Sequence, residues 1–418
     1  MKIIKEVKIN NYKGLEEIQF PCGHINIIVG PNNTGKSSIL ESILMSISSL
    51  NHFEDVLETD LSKIFTFKVE ELKYFINQGK KKSTVGIELS DGNRMSLDIL
   101  HSKEGYPEEV AEDFLNFINR FSTTGISDST YRRVLPPRIR IHQREVYEIS
   151  RDLRYLEKTM QKEDPAKKLE LEKMLKLMSD KLNASIEESR NEMIKSEKLF
   201  LVSKLNNNLI GMYVTMNDYA GEIPFITDER ISINYNIPLI ISSPKVRYDI
   251  SMLYNKLIAT KKLQDVLDTL KNRIPYLEDI RELDSTLLVL LENIKEPLPL
   301  SFMGDGFKAL LKLSFIAPLV KNGIILFEEP EASMHLGYLN ILAREIILNS
   351  SDSQFFISTH SLELLNKLLE KAEKCDKLES IRILRLRRLS DGFIEREILS
   401  GKEAKEEIET IETDLRGF

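Results

Sequence analysis

Ile25-Asn26-Ile27-Ile28-Val29-Gly30-Pro31-Asn32-Asn33-Thr34-Gly35-Lys36-Ser37-Ser38 carries a short apolar run straight into a glycine-rich turn. Ile25, Ile27, Ile28 and Val29 are all β-branched, the composition of a buried strand. Beyond the turn, Ile39, Leu40, Ile43, Leu44 and Ile47 recur as one face of a helix. The turn itself fits G-x-x-x-x-G-K-[ST], and strand-before with helix-after is the setting this pattern requires. A loop running from Gly30 through Pro31, Asn32, Asn33 and Thr34 to Gly35 wraps phosphates closely, with N–H groups pointing inward at a helix N-terminus. Lys36 then sets a positive charge against the β- and γ-phosphates. Ser37 offers a hydroxyl to Mg²⁺, and Ser38 a hydrogen bond to phosphate. The expected ligands are ATP and Mg²⁺. An accidental glycine-rich turn is the bland alternative, and both flanking elements speak against it.

Three later segments complete the pattern. Gly323-Ile324-Ile325-Leu326-Phe327-Glu328-Glu329-Pro330 reads as a central strand with two acids at its C-terminal end, where open α/β sheets place their ligands. Glu328 is the candidate Mg²⁺ holder. Glu329 is the candidate base, since in-line attack of water on a phosphate needs a residue to orient and deprotonate it. Phe355-Phe356-Ile357-Ser358-Thr359-His360-Ser361 is a second apolar strand ending in polar residues, and His360 is placed to hydrogen-bond the γ-phosphate. Ahead of the acids, Met303-Gly304-Asp305-Gly306 opens an apolar helix, another point where backbone N–H groups can receive phosphate. Two phosphate-binding turns in one chain make sense if Gly304, Asp305 and Gly306 serve the nucleotide of a second subunit.

Between these ends the chain reads as a mixture. Strands are expected at the N-terminus around Val7 and Ile9, from Leu15 to Phe20, and between about Leu61 and Leu100, with a turn at Ser90-Asp91-Gly92-Asn93. From Gln143 to Asn206 the sequence is charged, poor in glycine and helical in period. Leu153, Leu156 and Met160, then Leu171, Leu175, Met178 and Leu182, make short heptads on either side of Asp164-Pro165. Two readings stay open: a helical hairpin arm, each limb about 30 Å long for roughly 20 residues, or two amphipathic helices lying flat on the head. Strands near Leu209–Val214 and Ile231–Tyr235 follow, then helices from Arg247 to Asn293. The expected division is 1–140 as the first part of a head, 141–210 as an inserted arm, 211–299 as a connecting region and 300–418 as the rest of the head.

These motifs resemble, in order and context, the ABC-type ATPases of the SMC, RecF and OLD group. The likeness covers both chain ends, roughly Met1 to Leu50 and Leu300 to Arg416. It is similar most of all to the stand-alone OLD-like ATPases of prokaryotic defence operons, including the ATPase subunit of PARIS-type systems. The resemblance implies an α/β P-loop head with a mixed sheet, formed from both chain ends around an inserted helical or short coiled-coil arm. It also implies a head-to-head dimer, each ATP held between one subunit's Walker A loop and the other's Met303–Gly306 signature. Met334 and His335 fall in its D-loop. Three residues depart from the pattern: Gly304 stands where a serine is usual, Glu328 where aspartate is commoner, and only Gln143 is a candidate for the Q-loop glutamine. The arm has no cysteine for a zinc hook and the chain no D-x-D run of the OLD nucleases, so no intrinsic nuclease is expected.

The 418 residues are 42% hydrophobic and 29% charged, with a net charge of −7, and contain no apolar run of about 18 residues. No membrane partner is expected. Cys22 and Cys375 belong to no metal or redox pair, which suits a cytoplasmic protein. The acidic balance disfavours a surface coated for nucleic acid without excluding a local basic patch. Two uses of the ATPase follow. One is a scaffold that licenses a separate effector, such as a nuclease in defence, with ATP setting its conformation. The other is a nucleic-acid clamp contacting through Arg132, Arg133, Arg138, Arg140 and Arg144, or through Arg382, Arg385, Arg387 and Arg388. For the second group, pairing with neighbouring acids is the plain alternative.

Overall fold

A computed structural model of the chain describes residues 3–49, 53–54, 59–60, 74–102, 173, 176–177, 198–216, 226–227, 237–242, 249–390 and 392–411. The first strands are β1 (Ile4–Tyr12), β2 (Leu15–Pro21) and β3 (Ile25–Val29), followed by helix α1 (Lys36–Ser48). A short pair, β4 (Phe53–Glu54) and β5 (Thr59–Asp60), precedes β6 (Lys82–Leu89) and β7 (Arg94–Ser102). Next come β8 (Lys198–Leu205), β9 (Asn208–Met216), β10 (Ile226–Thr227) and β11 (Leu239–Ser242). Helices α2 (Ile250–Ala259) and α3 (Leu263–Lys271) lead into a small meander of β12 (Leu277–Leu283), β13 (Thr286–Leu291) and β14 (Leu298–Pro299). The C-terminal part alternates α4 (Asp305–Ile316), β15 (Gly323–Glu328), α5 (Leu336–Asn349), β16 (Ser353–Thr359), α6 (Leu362–Lys374), β17 (Ile381–Arg388), β18 (Ile394–Ser400) and α7 (Gly401–Ile411).

Two large sheets organise these elements. One is antiparallel, in the order β10-β9-β8-β7-β6-β1-β2. The other runs β11-β15-β16-β3-β17-β18, parallel except at β18. Strands of the parallel sheet are buried on both faces, so their side chains divide by parity. Ile25, Ile27, Ile325, Phe327, Phe355 and Ile357 join one core with α4, α5 and α6, while Ile28, Ile324, Leu326 and Phe356 join the other with the antiparallel sheet. Helix α1 lies between the sheets and packs against strands of both. That explains why it is buried on nearly every side rather than on one stripe.

The two chain ends are stitched together by buried polar groups. Gln354 on β16 accepts from the Ile4 N–H at 2.8 Å and donates to the carbonyls of Ile4 at 2.8 Å and Gly23 at 2.7 Å, across 350 positions of sequence. Asn26 donates to the Gly23 and Phe355 carbonyls. A Gln or Asn buried in this way is stable only because its amide is satisfied. The head is therefore the expected α/β P-loop assembly of both ends, with β8, β9 and β11 added from the middle of the chain.

Two readings of the sequence are corrected. Lys198–Leu205, at the end of the stretch read as helical to Asn206, is the strand β8, so the expected arm interval 141–210 overlaps the antiparallel sheet. The helices expected from Arg247 to Asn293 stop at Lys271, and Leu277–Leu291 forms the β12–β13 hairpin. Both errors have one cause. The turns Asn206-Asn207 and Asp284-Ser285 hold all four residues at positive φ, between 49° and 66°, the two-residue turn geometry that Asn and Asp tolerate. Of the proposed arm before β8, only Lys173, Lys176 and Leu177 are described, and they are helical. The remaining arm residues up to 197, the Ile231–Tyr235 strand, Gln143 and Arg132 to Arg144 lie outside the described residues.

Candidate functional site

The parallel sheet brings three of the four sequence segments to one edge. Register pairs Glu328 with Ser358, Ser358 with Ile28, and Thr359 with Val29. The strand ends carrying Gly30, Glu328–Glu329 and His360 are thus neighbours at the C-terminal edge of the sheet, where α/β ligand sites form.

The loop after β3 has the geometry its glycines predict. Gly30 and Gly35 sit at φ 151° and 90°, with Asn33 at 62°. A Cβ on Gly30 would lie 2.5 Å from the Leu386 carbonyl oxygen and 3.0 Å from Thr34 Oγ1. Thr34 is buried and donates to the Pro31 carbonyl at 2.9 Å, closing the turn from inside. Helix α1 starts at Gly35 with no side-chain cap and no acid in its first turn. Its free N–H groups and positive dipole end leave a site for an anion. Asn32, Asn33 and Ser37 are exposed, with Pro31 and Ser38 half-buried.

Lys36 is only 6% exposed, and its ammonium donates to the carbonyls of Gly30 at 2.9 Å and Pro31 at 2.8 Å. Burial pushes it from the ordinary 10.5 down to about 8, opposed in part by the charges of Glu329 and Glu331. The lysine and the acids, far apart in sequence, therefore share one electrostatic site. A buried ammonium resting on neutral carbonyls is short of an anionic partner.

Across the sheet, Glu329 adopts φ 46°, a conformation side chains rarely take. Its N–H donates to the Ser358 carbonyl at 2.9 Å. The turn this creates aims the carboxylate at Phe356–Ser361, a stretch that resembles the switch-histidine segment of ABC-type ATPases, where Oε1 lies 3.3 Å from His360 Nε2. Both side chains stay part-exposed, so water reaches them. Just past Pro330 stands an acid with no role assigned from sequence, Glu331. Its Oε1 accepts from Thr359 Oγ1 at 2.6 Å and from the His360 N–H at 2.9 Å. Its position two residues past the paired acids was the one available signal.

Gly304 and Asp305 stand exposed at the start of α4, with Gly304 preceding its first turn and Asp305 paired to Lys308 at 2.6 Å. Gly306 is buried, and a Cβ there would meet the Ser333 carbonyl oxygen at 2.4 Å and Met334 Cα at 3.2 Å. It thus packs on the Ser333–Met334 backbone of its own chain. Gly304 has nothing within 4 Å of such a Cβ, so the serine usual in the resembled signature would fit. His335 caps α5 through its ring nitrogen to the Gly337 N–H at 3.2 Å.

The arginines of β17 are largely spoken for. Arg385 is 11% exposed and pairs with Glu397 at 3.1 Å and Glu407 at 3.7 Å. Arg382 donates to the Glu379 and Ile381 carbonyls. Arg387 and Arg388 are exposed.

A glycine-rich loop that opens an uncapped helix, a buried lysine and paired acids two strands away in the same sheet define a P-loop nucleotide-binding head. Over residues 1–365 the sequence matches the AAA ATPase domain family. The chain belongs to that family, and it is an ATP-binding ATPase. Among curated proteins it is 35% identical over 117 residues to the uncharacterized protein MJECL11 of Methanocaldococcus jannaschii, covering 28% of this chain and 100% of that one. It is 40% identical over 52 residues to MJECL10 of the same organism, covering 12% of this chain and 24% of that one. Among solved structures it is similar to the Smc head domain of Pyrococcus furiosus bound to the C-terminal domain of ScpA, at 14% identity, 99% and 100% coverage and TM-score 0.45. It is also similar to the SMC head domain of Thermotoga maritima, at 11% identity, 95% and 98% coverage and TM-score 0.43. Among the described residues no helix is long and apolar enough to cross a membrane.

Proposed function

We propose that this site binds ATP in the Gly30–Ser38 loop and hydrolyses it with Glu329 as base and His360 as γ-phosphate ligand. The convergence of Lys36 with Glu329 and Glu331 at one sheet edge carries this reading. A triphosphate would replace the Gly30 and Pro31 carbonyls as acceptor for Lys36 and would take up the free N–H groups of α1. Glu329 would then orient a water and accept its proton, while His360 exchanges its contact with Glu329 for the phosphate. The Ser37 hydroxyl and Glu328 carboxylate are hard oxygen donors of the kind Mg²⁺ takes alongside substrate phosphates. When bound, the ion would neutralise phosphate charge.

In the same reading two heads close around ATP, each offering Gly304, Asp305 and Gly306 to the other's nucleotide. Support comes from Phe302, 80% exposed beside the signature turn, and Leu336, 56% exposed just after the D-loop. Apolar side chains of this size in water favour a covering surface. That ATP-driven closure regulates a protein effector, in defence or otherwise, rests on the resemblance to OLD-like ATPases. The nucleic-acid clamp gains nothing from Arg382 and Arg385, whose guanidinium groups already have partners within the head.

Lys36→Ala tests the core of the reading. It removes the only ammonium in the loop, and ATP binding followed by calorimetry is expected to vanish while the melting temperature without nucleotide holds. Unchanged ATP affinity would overturn the assignment.

A further inference from the structure

We propose that Glu331 is a positioning residue for the switch segment: it fixes His360 relative to Glu329 and ties that geometry to the D-loop and the start of α4. The inference rests on the hydrolysis reading above and gives a task to a residue that takes no chemical step in it.

One carboxylate oxygen organises three consecutive residues. Oε1 of Glu331 receives both the Thr359 hydroxyl and the His360 N–H, and Thr359 Oγ1 in turn accepts from the Ser361 N–H at 2.9 Å. Ser361 then caps α6, its hydroxyl accepting from the Leu364 N–H at 3.0 Å. The backbone that carries His360 is thereby clamped between strand β16 and helix α6, which sets where the imidazole can reach. Hydrogen bonds to an ionised acceptor are about twice as strong as neutral ones, so this clamp is stiff.

Glu331 also belongs to the turn that leads into Met334 and His335, the residues the resemblance places in a D-loop. The Ala332 N–H donates to the Glu329 carbonyl at 3.0 Å, and the Met334 N–H to the Glu331 carbonyl at 2.9 Å. These bonds wind Glu329–Met334 into one compact turn, against whose Ser333 carbonyl Gly306 is packed. A shift at the start of α4 therefore moves the turn, and the turn carries the carboxylate that holds His360. Glu331 Oε2 is buried with no hydrogen-bond partner among the described residues. A group kept in this way costs stability, and a merely adhesive role would be served as well by a neutral side chain. The nearby charge of Lys36 offsets part of that cost.

The test uses the full chain and five variants: Glu331→Ala, Glu331→Gln, Thr359→Val, His360→Gln and the Glu331→Ala/His360→Gln double. Glu331→Ala is expected to lower kcat by about 10²-fold, the worth of a misplacement near 1 Å, with KM for ATP within about threefold of wild type. Glu331→Gln keeps an oxygen that accepts from Thr359 and His360 and should restore at least about tenfold of the loss. The double variant should be no slower than His360→Gln alone, because one residue acts through the other. Thr359→Val removes one donor to Glu331 and the acceptor of the Ser361 N–H, and it covers the case in which Glu331→Ala fails to fold; it should show a smaller loss, again absent when it is combined with His360→Gln in a sixth variant. Independent, additive losses, a change in KM alone, or a Gln variant no better than Ala would overturn the proposal. Imidazole ¹⁵N resonances, with His360 assigned by its loss in His360→Gln, provide a readout free of turnover. A His360 shift in Glu331→Ala, together with a wild-type protein that does not hydrolyse ATP, would sink the hydrolysis reading and leave the clamp. Normal turnover with His360 and kcat unmoved would sink the clamp alone.

Discussion

Replacing Gly306 with alanine isolates the contact between α4 and the D-loop. The added Cβ would stand 2.4 Å from the Ser333 carbonyl oxygen and 3.2 Å from Met334 Cα, both backbone atoms that no side-chain rotation can move. Ordinary C···O contacts sit at about 3.3–3.6 Å. The turn must therefore retreat by about 0.9–1.2 Å. Overpacking on this scale costs about 1–3 kcal/mol, several degrees in melting temperature. Because the same turn carries Glu329 and Glu331, displacement of about 1 Å should also cut kcat by about 10²-fold, with little change in nucleotide affinity, since the Gly30–Ser38 loop is not part of that turn. The assay pairs thermal melting without nucleotide, at low protein concentration, with steady-state hydrolysis. Gly304→Ala is the stability control: open space surrounds that Cβ, and its melting temperature should match wild type. A Gly306→Ala protein with wild-type stability and kcat would refute the packing explanation. Stability lost only when ATP and high protein concentration are present would move the cause to a second subunit.

Glu329→Gln should keep nucleotide binding and slow hydrolysis by about 10²–10⁴, with an ATP-bound dimer accumulating in light scattering; normal turnover would show that another residue positions the water. The Lys36 ammonium, held down to about 8 by burial, makes ATP affinity sensitive to pH. Only the charged form pairs with phosphate, so affinity should be flat below about 8 and fall by up to about tenfold per unit above it, as binding must then take up a proton. Titrations by calorimetry from pH 7 to 9.5 check this, and a flat profile would mean the amine is not at the phosphates. Opening the seam between the chain ends is expected to destabilise the whole head. Gln354→Leu takes their amide partner from the Ile4 N–H and carbonyl and leaves the Gly23 carbonyl to Asn26 alone, at about 1–3 kcal/mol for each buried group left unpaired; a melting temperature equal to wild type would show that the Ile4 groups find other partners.

Local chemistry is readable in the chain because a phosphate loop is a local object. Gly30, Gly35 and Lys36 lie within seven residues, and the flanking β3 and α1 follow from periodicity alone. The β15 and β16 strands, each ending in polar residues, were equally legible, since buried parallel strands are continuous apolar runs. The reading failed at β8 and at the β12–β13 hairpin, where the deciding signal was a pair of residues at positive φ. Asn-Asn and Asp-Ser signal such turns more weakly than Asn-Gly does.

The sequence by itself determined which groups could meet a nucleotide: the loop glycines, the lysine, the paired acids and the histidine, each announced by its neighbours along the chain. Tertiary structure alone decided that Glu331 grips Thr359 and His360, that Gly306 rests on Ser333, and that Gln354 ties β16 to β1. Those contacts join residues between 27 and 350 positions apart, and they exist because sheet register and helix packing bring distant backbone within hydrogen-bond reach, a property that no window of sequence contains.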